Sequence, residues 1–409
     1  MAGKTRVKKT YKIAALTSHP IQYYCPLWKK LEEHPQIDLT VYFCTDFGIK
    51  ERYEPEFGVT YKWDVPLLDG YKSIFLRNYS PKSSVNPIWG KINPGIISEL
   101  IKNRYDGIFV HGHFATTNLL AFLTSKLIGT QVLLRAISSN FYDSRVKRSK
   151  FILLAKNIYL KILYKYFIDS FLSIGSRNRD FFKYYGVPEN KIFHCPYSVD
   201  NDFFTNNANI FFKERENLRK EFGVKSDETI ILFASKLIPK KDPFHLLKSY
   251  KKINNVKKKH LFIVGDGALK KEMERFVKSE RLENVHFFGF QNQINMVKFY
   301  SISDVFIRTD IPQTGDWGAT VNESLACSLP VIATNAISSQ ADLLKEGYNG
   351  HTIEVGDIEK LAFLLKNLIE NPEILFKMRD NCLSVVAENS YEKDVEGIIK
   401  ALSSIKTNY

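Results

Sequence analysis

Three stretches of the sequence set residues able to hold charged or hydroxyl-bearing groups at the ends of apolar runs. In "FASKLIPKKDPFHLLKSY" (233–250), Lys236, Lys240 and Lys241 crowd a turn ahead of Pro243, a residue suited to a first helical turn. Ammonium groups bring charge and movable donors, so the cluster suits a diphosphate; otherwise it is a solvated loop. In "FIVGDGALKKEMERF" (262–276), Gly265 and Gly267 permit a tight turn and close backbone approach after an apolar run. The third glycine of the dinucleotide fingerprint is missing. So is an acidic residue at a strand end roughly 20 residues on, which argues against a redox nucleotide. In "IPQTGDWGATVNESLACSLPVIAT" (311–334), Gly318 opens an amphipathic segment. Ala319, Thr320 and Val321 would present free N–H groups at a positive helix end, where phosphate binds without a side chain. Glu323, one turn in, either accepts two hydrogen bonds from a ribose diol or complements the helix dipole.

Such corners need strands ending beneath them and helices starting above. Short β-branched runs alternate with longer helical periods along the chain, which predicts parallel sheets covered by helices. Strands are expected at 12–17, 38–43, 107–112, 131–135 and 170–175, and helices at 95–103, 115–128 and 151–167. A second series of strands is expected at 229–235, 260–265, 285–290, 304–309, 330–334 and 351–355. Between the series, "HCPYSVDNDFF" has the Pro and Asn/Asp cluster of a boundary, and 209–228 reads as a polar helical connector. The expectation is an α/β protein of two doubly wound, Rossmann-like domains facing a cleft. The first spans 1–200, the second 201–385, and a last helix over 386–409 packs back toward the first domain. Ligands of such sheets sit outside the carboxyl ends of the strands.

At 409 residues the chain fits two domains. The five cysteines are scattered without a CxxC pair, which argues against a disulfide framework or zinc site and for a reducing compartment. The amino-terminal run "IAAL" is too short for a signal segment, and Lys156, Lys161, Lys165 and Asp169 interrupt the apolar stretch 151–172 too often for a spanning helix. A cytoplasmic protein is expected, in places touching a membrane surface. Net charge is +14 and one-sided: residues 1–200 hold 29 Lys and Arg against 16 Asp and Glu, whereas the remainder holds 29 against 28. An acidic partner for the first half follows, and no recognition motif accompanies the charge to suggest nucleic acid. Lys150, Lys161 and Lys165 share one helical face, within about 60° of one another at 100° per residue. That face could lie on anionic lipid, or it is an ordinary half-buried helix with solvated lysines.

Taken in order, "SKLIPKK", "VGDGALKKEME", "VHFFGF", "WGATVNESLACSLPVIAT" and "LLKEGYNGHTIEVGD" resemble the nucleotide-sugar-binding domain of the retaining GT-B glycosyltransferases of family 4, from Phe233 to about Leu361. The first half, through "SHPIQYYCPLWKKL", "FGVTYKWDVPLLDGY", "YDGIFVHGH" and "YYGVPENKIFHCPYSVDN", is similar to one branch of that family. The resemblance implies GT-B architecture and transfer of a sugar from a nucleoside-diphosphate sugar to a hydroxyl of a glycan or lipid-linked acceptor. The anomeric configuration would be retained, with no cofactor and no metal. Lys236 stands where the family usually has Arg, and Lys241 at its usual Lys, a pair that grips the diphosphate. Glu323 matches the second glutamate of the paired-glutamate motif, on the ribose, and Gly318 to Val321 would serve phosphate and sugar alongside Gly265. His111 falls where a histidine meets the donor sugar, with His113 as a second candidate. The "SHPIQYY" loop, with His19 and Gln22, should face diphosphate and acceptor, and Arg135 is a candidate cleft charge. The first motif glutamate would fall at Gly315, with Asp316 the neighbouring acid. That departure keeps a degenerate, non-catalytic nucleotide-binding subunit as one alternative; a nucleotide-sugar epimerase on the same fold is the other.

Overall fold

The computed structural model describes residues 11–54, 56, 58–83, 88–139, 149–312 and 317–405. Two parallel sheets form its frame. The first has seven strands in the order β5-β2-β1-β6-β7-β8-β9. They are β1 (Tyr11–Thr17), β2 (Ile37–Phe43), β5 (Lys72–Phe75), β6 (Gly107–His111), β7 (Gln131–Arg135), β8 (Ser170–Ser173) and β9 (Ile192–His194). A small antiparallel hairpin, β3 (Arg52–Glu54) and β4 (Val59–Tyr61), stands apart from it. The second sheet has six strands in the order β12-β11-β10-β13-β14-β15. These are β10 (Thr229–Ala234), β11 (Lys259–Val264), β12 (Val285–Phe287), β13 (Val305–Arg308), β14 (Val331–Thr334) and β15 (Gly350–Ile353). Central strands are buried along their whole length, as β10 and β11 are, because helices cover both faces of a parallel sheet.

Local chemistry decides where helices begin. Asp200 Oδ1 accepts the Phe203 N–H at 2.9 Å, so the helix Asn201–Lys213 starts inside the Asn/Asp cluster that reads as a boundary. The polar connector expected from residue 209 is thus the end of that helix and a second one, Arg215–Glu221. Pro243 opens the helix Pro243–Lys252 behind Asp242, whose side chain caps the His245 N–H.

One apolar core is continuous across the lobes. It runs from Val41, Phe109 and Leu172 under the first sheet through Tyr197, Val199 and Phe204 to Leu232, Phe262 and Phe306 under the second. The helix Tyr391–Ile405 crosses back onto the first lobe, where Val395, Ile398, Ala401 and Leu402 are buried. At about 1.5–3 kcal/mol for each large aliphatic side chain removed from water, this docking is worth several kcal/mol. Gly397 makes it possible: a Cβ there would lie 2.1 Å from the carbonyl oxygen of His194. All five cysteines are free and buried.

Candidate functional site

The carboxyl ends of β10, β11 and β13 converge on the face that looks toward the first lobe. Gly265, just past β11, has φ of +128°, and a Cβ there would fall 1.9 Å from the Ser235 carbonyl oxygen. Only glycine lets these two strand-to-helix corners close on each other. Gly318, with φ of +84°, caps the helix Ala319–Ala326, and its missing Cβ would meet Ile337 at 2.6 Å. The Val321 N–H donates to the Gly318 carbonyl at 2.8 Å. Of the three amides expected to face phosphate, Val321's is therefore already committed.

Ser235, Gly265, Thr320 and Glu323 line one interdomain cavity of about 130 Å³, with Gln22, Tyr23 and Trp63 contributed by the first lobe and Phe290 and Tyr300 by the second. Glu323 is 6% exposed, and its two oxygens accept hydrogen bonds from Tyr23 and Tyr300, each at 2.7 Å. Burial pushes its carboxyl above the usual range, against the pull of the two tyrosine hydroxyls and of Arg308.

The three lysines divide. Lys241 is buried, and its Nζ lies 2.6 Å from Asp310 Oδ2. Asp310 also receives the Arg308 guanidinium at 2.8 Å, and Arg308 donates to the Thr320 hydroxyl. Two cations thus share one carboxylate directly behind the helix start that carries Thr320, a fixed positive charge under its amides. Lys236 and Lys240 are more open and meet acids from the hairpin: Lys236 is 2.6 Å from Glu56, and Lys240 is 2.8 Å from the same side chain. Burial raises the Glu56 carboxyl, but the two ammonium groups outweigh it and hold it down to about 2. Arg308, Asp310, Tyr300 and the acidic hairpin are absent from the sequence expectations, and Tyr23 is covered there only as part of the "SHPIQYY" loop. The charged residues of "FIRTD" closing an otherwise apolar run were the available signal for the first two.

On the first lobe, His111 ends β6, and its Nε2 lies 3.3 Å from the Tyr24 hydroxyl, with the rings 4.6 Å apart. Burial, then the charges of Arg135, His19 and His113, push it down to about 3, so its imidazole is neutral at ordinary pH. Adjacent tyrosines of the "SHPIQYY" loop therefore tie the two lobes' expected residues together, Tyr24 to His111 and Tyr23 to Glu323. His19 bonds Ser18 Oγ through Nδ1 at 2.8 Å and is not among the cavity's lining residues.

Two expectations are corrected. Arg135 is no cleft charge: it is 1% exposed, its Nη2 donates to the Pro196 carbonyl at 2.7 Å, and its Nη1 lies 3.1 Å from Asp394 on the last helix. As a strand-end residue its rim position was legible, but its side chain turns into the core between Tyr24 and Tyr197. His113 is 4% exposed and packs against Phe114 and Tyr164, beneath the helix Lys150–Tyr166, rather than toward the cavity. Asp316 and Gly315 lie outside the described residues.

Residues 214–383 match the model of the family described as glycosyl transferases group 1. The matched residues fall within the carboxy-terminal lobe. An uncharacterized glycosyltransferase of Methanocaldococcus jannaschii is 26% identical over 232 residues, covering 56% of this chain and 64% of that protein. The N-acetyl-alpha-D-glucosaminyl L-malate synthase of Bacillus anthracis is 25% identical over 181 residues, covering 44% of this chain and 46% of that one. The matches therefore span less than two thirds of either relative. Among solved structures, Anabaena HepE in complex with UDP and glucose superposes with a TM-score of 0.68 at 16% identity, over 96% of this chain and 100% of its own. That likeness shows the fold: two facing parallel-sheet lobes of GT-B architecture.

Proposed function

We propose that this chain is a retaining glycosyltransferase of family 4, moving a sugar from a nucleoside-diphosphate sugar to a hydroxyl acceptor. The observation that carries the proposal is the shared cavity in which Ser235, Gly265, Thr320 and Glu323 meet Gln22 and Tyr23 of the opposite lobe. Support comes also from the Anabaena protein of the same fold, solved with UDP and glucose.

In this mechanism Glu323 accepts hydrogen bonds from the ribose diol. Lys236 and the first-turn amides behind Gly318 take the diphosphate, over the charge supplied by Lys241, Arg308 and Asp310. As the bond from the sugar's anomeric carbon to the diphosphate breaks, its electron pair stays with the departing oxygen. Positive groups fixed there favour the transition state over the ground state. The acceptor oxygen bonds to the anomeric carbon on the same face, and its proton passes to the departing diphosphate. Neutral His111 exchanges hydrogen bonds with a sugar hydroxyl. Lysines and a helix end supply the charge, so no metal ion is needed.

The test is a thermal-shift series with UDP, GDP and their sugars, followed by transfer assays after chelation. One diphosphate should stabilise the protein by about 2.7 kcal/mol at 100 times its Kd, and transfer should survive chelation. A flat series sinks the donor site, and a metal-reversible loss sinks the mechanism. Conversion of donor without any acceptor would mark an epimerase.

The acceptor proposed is a glycan or lipid-linked sugar at the cytoplasmic face of a membrane, as in polysaccharide or glycolipid assembly. Among the described residues no helix is long and apolar enough to cross a membrane. The helix Lys150–Tyr166 instead turns Phe151, Leu154, Ile158 and Ile162 outward, with Phe151 83% exposed, beside the exposed Lys161 and Lys165. Apolar side chains flanked by ammonium groups suit the headgroup boundary of an anionic bilayer. Co-sedimentation with phosphatidylglycerol vesicles should be strong at low salt and weaken as salt rises. Protein left in the supernatant when the vesicles pellet at low salt would remove the membrane from the proposal.

A further inference from the structure

The groups that the donor would need are engaged here by the opposite lobe. The β3–β4 hairpin lays Glu56 on Lys236 at 2.6 Å and on Lys240 at 2.8 Å, and Glu54 reaches Lys236 at 3.4 Å. Two carboxylates thus meet two ammonium groups at the corner where a diphosphate would place its charged oxygens. Independently, the Tyr23 hydroxyl donates to Glu323 Oε1 at 2.7 Å, a hydroxyl on the carboxylate that would hold ribose hydroxyls. The end of the hairpin and the residue after it are fastened to the same lobe. The Tyr61 and Phe290 rings lie 4.8 Å apart, and Asn292 donates to the Lys62 carbonyl at 2.8 Å.

We propose that the amino-terminal lobe occupies its own donor site, with Glu54 and Glu56 standing in for the diphosphate and Tyr23 for the ribose, so that a donor enters by displacing them. This rests on the donor site proposed above. The ion pairs have the character of an exchangeable contact. Their side chains are 25% to 44% exposed, a setting in which such pairs are weak and salt-screened. The Lys241–Asp310 pair, at 7% on both sides, belongs to the permanent framework instead. The diphosphate of a nucleotide sugar matches the two carboxylates in charge and competes with them for the same ammonium donors. When the diphosphate product departs, the return of Glu56 to both lysines opposes its rebinding.

The experiment titrates inorganic pyrophosphate, UDP and GDP into the wild-type chain, E54Q/E56Q and Lys236→Ala. It follows hydrogen exchange at the amides of β3 and β4 in the wild type. Removing the competing carboxylates should tighten diphosphate binding by about 3- to 30-fold, the scale of two or three exposed ion pairs. Wild-type hairpin amides should exchange faster once diphosphate is added. Unchanged or weaker binding by E54Q/E56Q, or hairpin amides that exchange more slowly with ligand, overturns the stand-in. If Lys236→Ala weakens binding while E54Q/E56Q leaves it unaltered, the donor site survives and only self-occupancy falls. If no probe binds any of the three proteins, both fall.

Discussion

Replacing Asp394 by alanine should lower stability by about 3–5 kcal/mol, the scale on which removal of one partner from a buried ion pair acts. Asp394 and Arg135 are each 1% exposed, and Asp394 also receives the Cys195 thiol at 3.0 Å. Without the carboxylate, the Arg135 guanidinium stays under the core with a single carbonyl and two aromatic rings for company. Burial pushes the Asp394 carboxyl up and the Arg135 charge draws it back, so the pair holds only while both members are present. Urea denaturation measures the loss as a lower midpoint at unchanged slope. The double replacement R135M/D394L should recover most of it, because apolar groups of similar volume need no partner. A midpoint for Asp394→Ala within about 0.5 kcal/mol of wild type, the scatter of surface substitutions, would show that the last helix is held by its apolar face alone.

The same pair reaches the site. Arg135 sits opposite His111 in the β6–β7 register, and its charge contributes to the low pKa of that imidazole. The crossing helix is thus both a staple for the first lobe and the source of the counter-charge beneath a residue expected at the donor sugar. Tyr391 on that helix donates to the Tyr23 carbonyl at 2.9 Å, which also positions the loop that meets Glu323.

Parallel strands buried on both faces were legible because they read as unbroken apolar runs, as "TIILFA" and "HLFIV" do. The edge strands of the first sheet were not: "KSIF" of β5 and "IFH" of β9 are short and partly exposed, and the β3–β4 hairpin has no apolar run at all. The corner glycines could be read because their backbone demands are local. Partners across the cleft could not, since nothing near Lys236 in the chain announces Glu56, some 180 positions earlier. Arg135 shows the remaining gap. A strand-end position places a residue at the rim of the sheet, but the direction of its side chain depends on a helix hundreds of residues later. Hence the donor lobe was legible from local motifs, whereas the roles of His113, Arg135 and Lys241 depended on packing.

Glu323→Gln should weaken donor binding by roughly 10- to 150-fold, since hydrogen bonds to a charged acceptor contribute about 1.5–3 kcal/mol. The amide keeps the shape of the side chain but presents a donor where the ribose diol needs an acceptor. Melting temperature should move little, because the neutral amide is easier to bury than the carboxylate. Wild-type binding should carry a pH signature that the variant lacks. Burial raises the Glu323 carboxyl above its ordinary value, so protonation on acidification begins at a higher pH than for an exposed glutamate near 4.3. The ribose bonds need the ionised form. Affinity should therefore be greatest above the raised value and fall as pH drops through it. Folding stability responds to this group with the opposite sign: the protonated form is the easier one to bury, so its contribution is greatest at low pH and declines as pH rises through the folded-state value. Calorimetric titration of the stabilising diphosphate between pH 8 and pH 4.5, wild type against Glu323→Gln, separates the two dependences. Equal affinities in both proteins across that range would place the ribose elsewhere and leave Glu323 as a dipole partner of its helix alone.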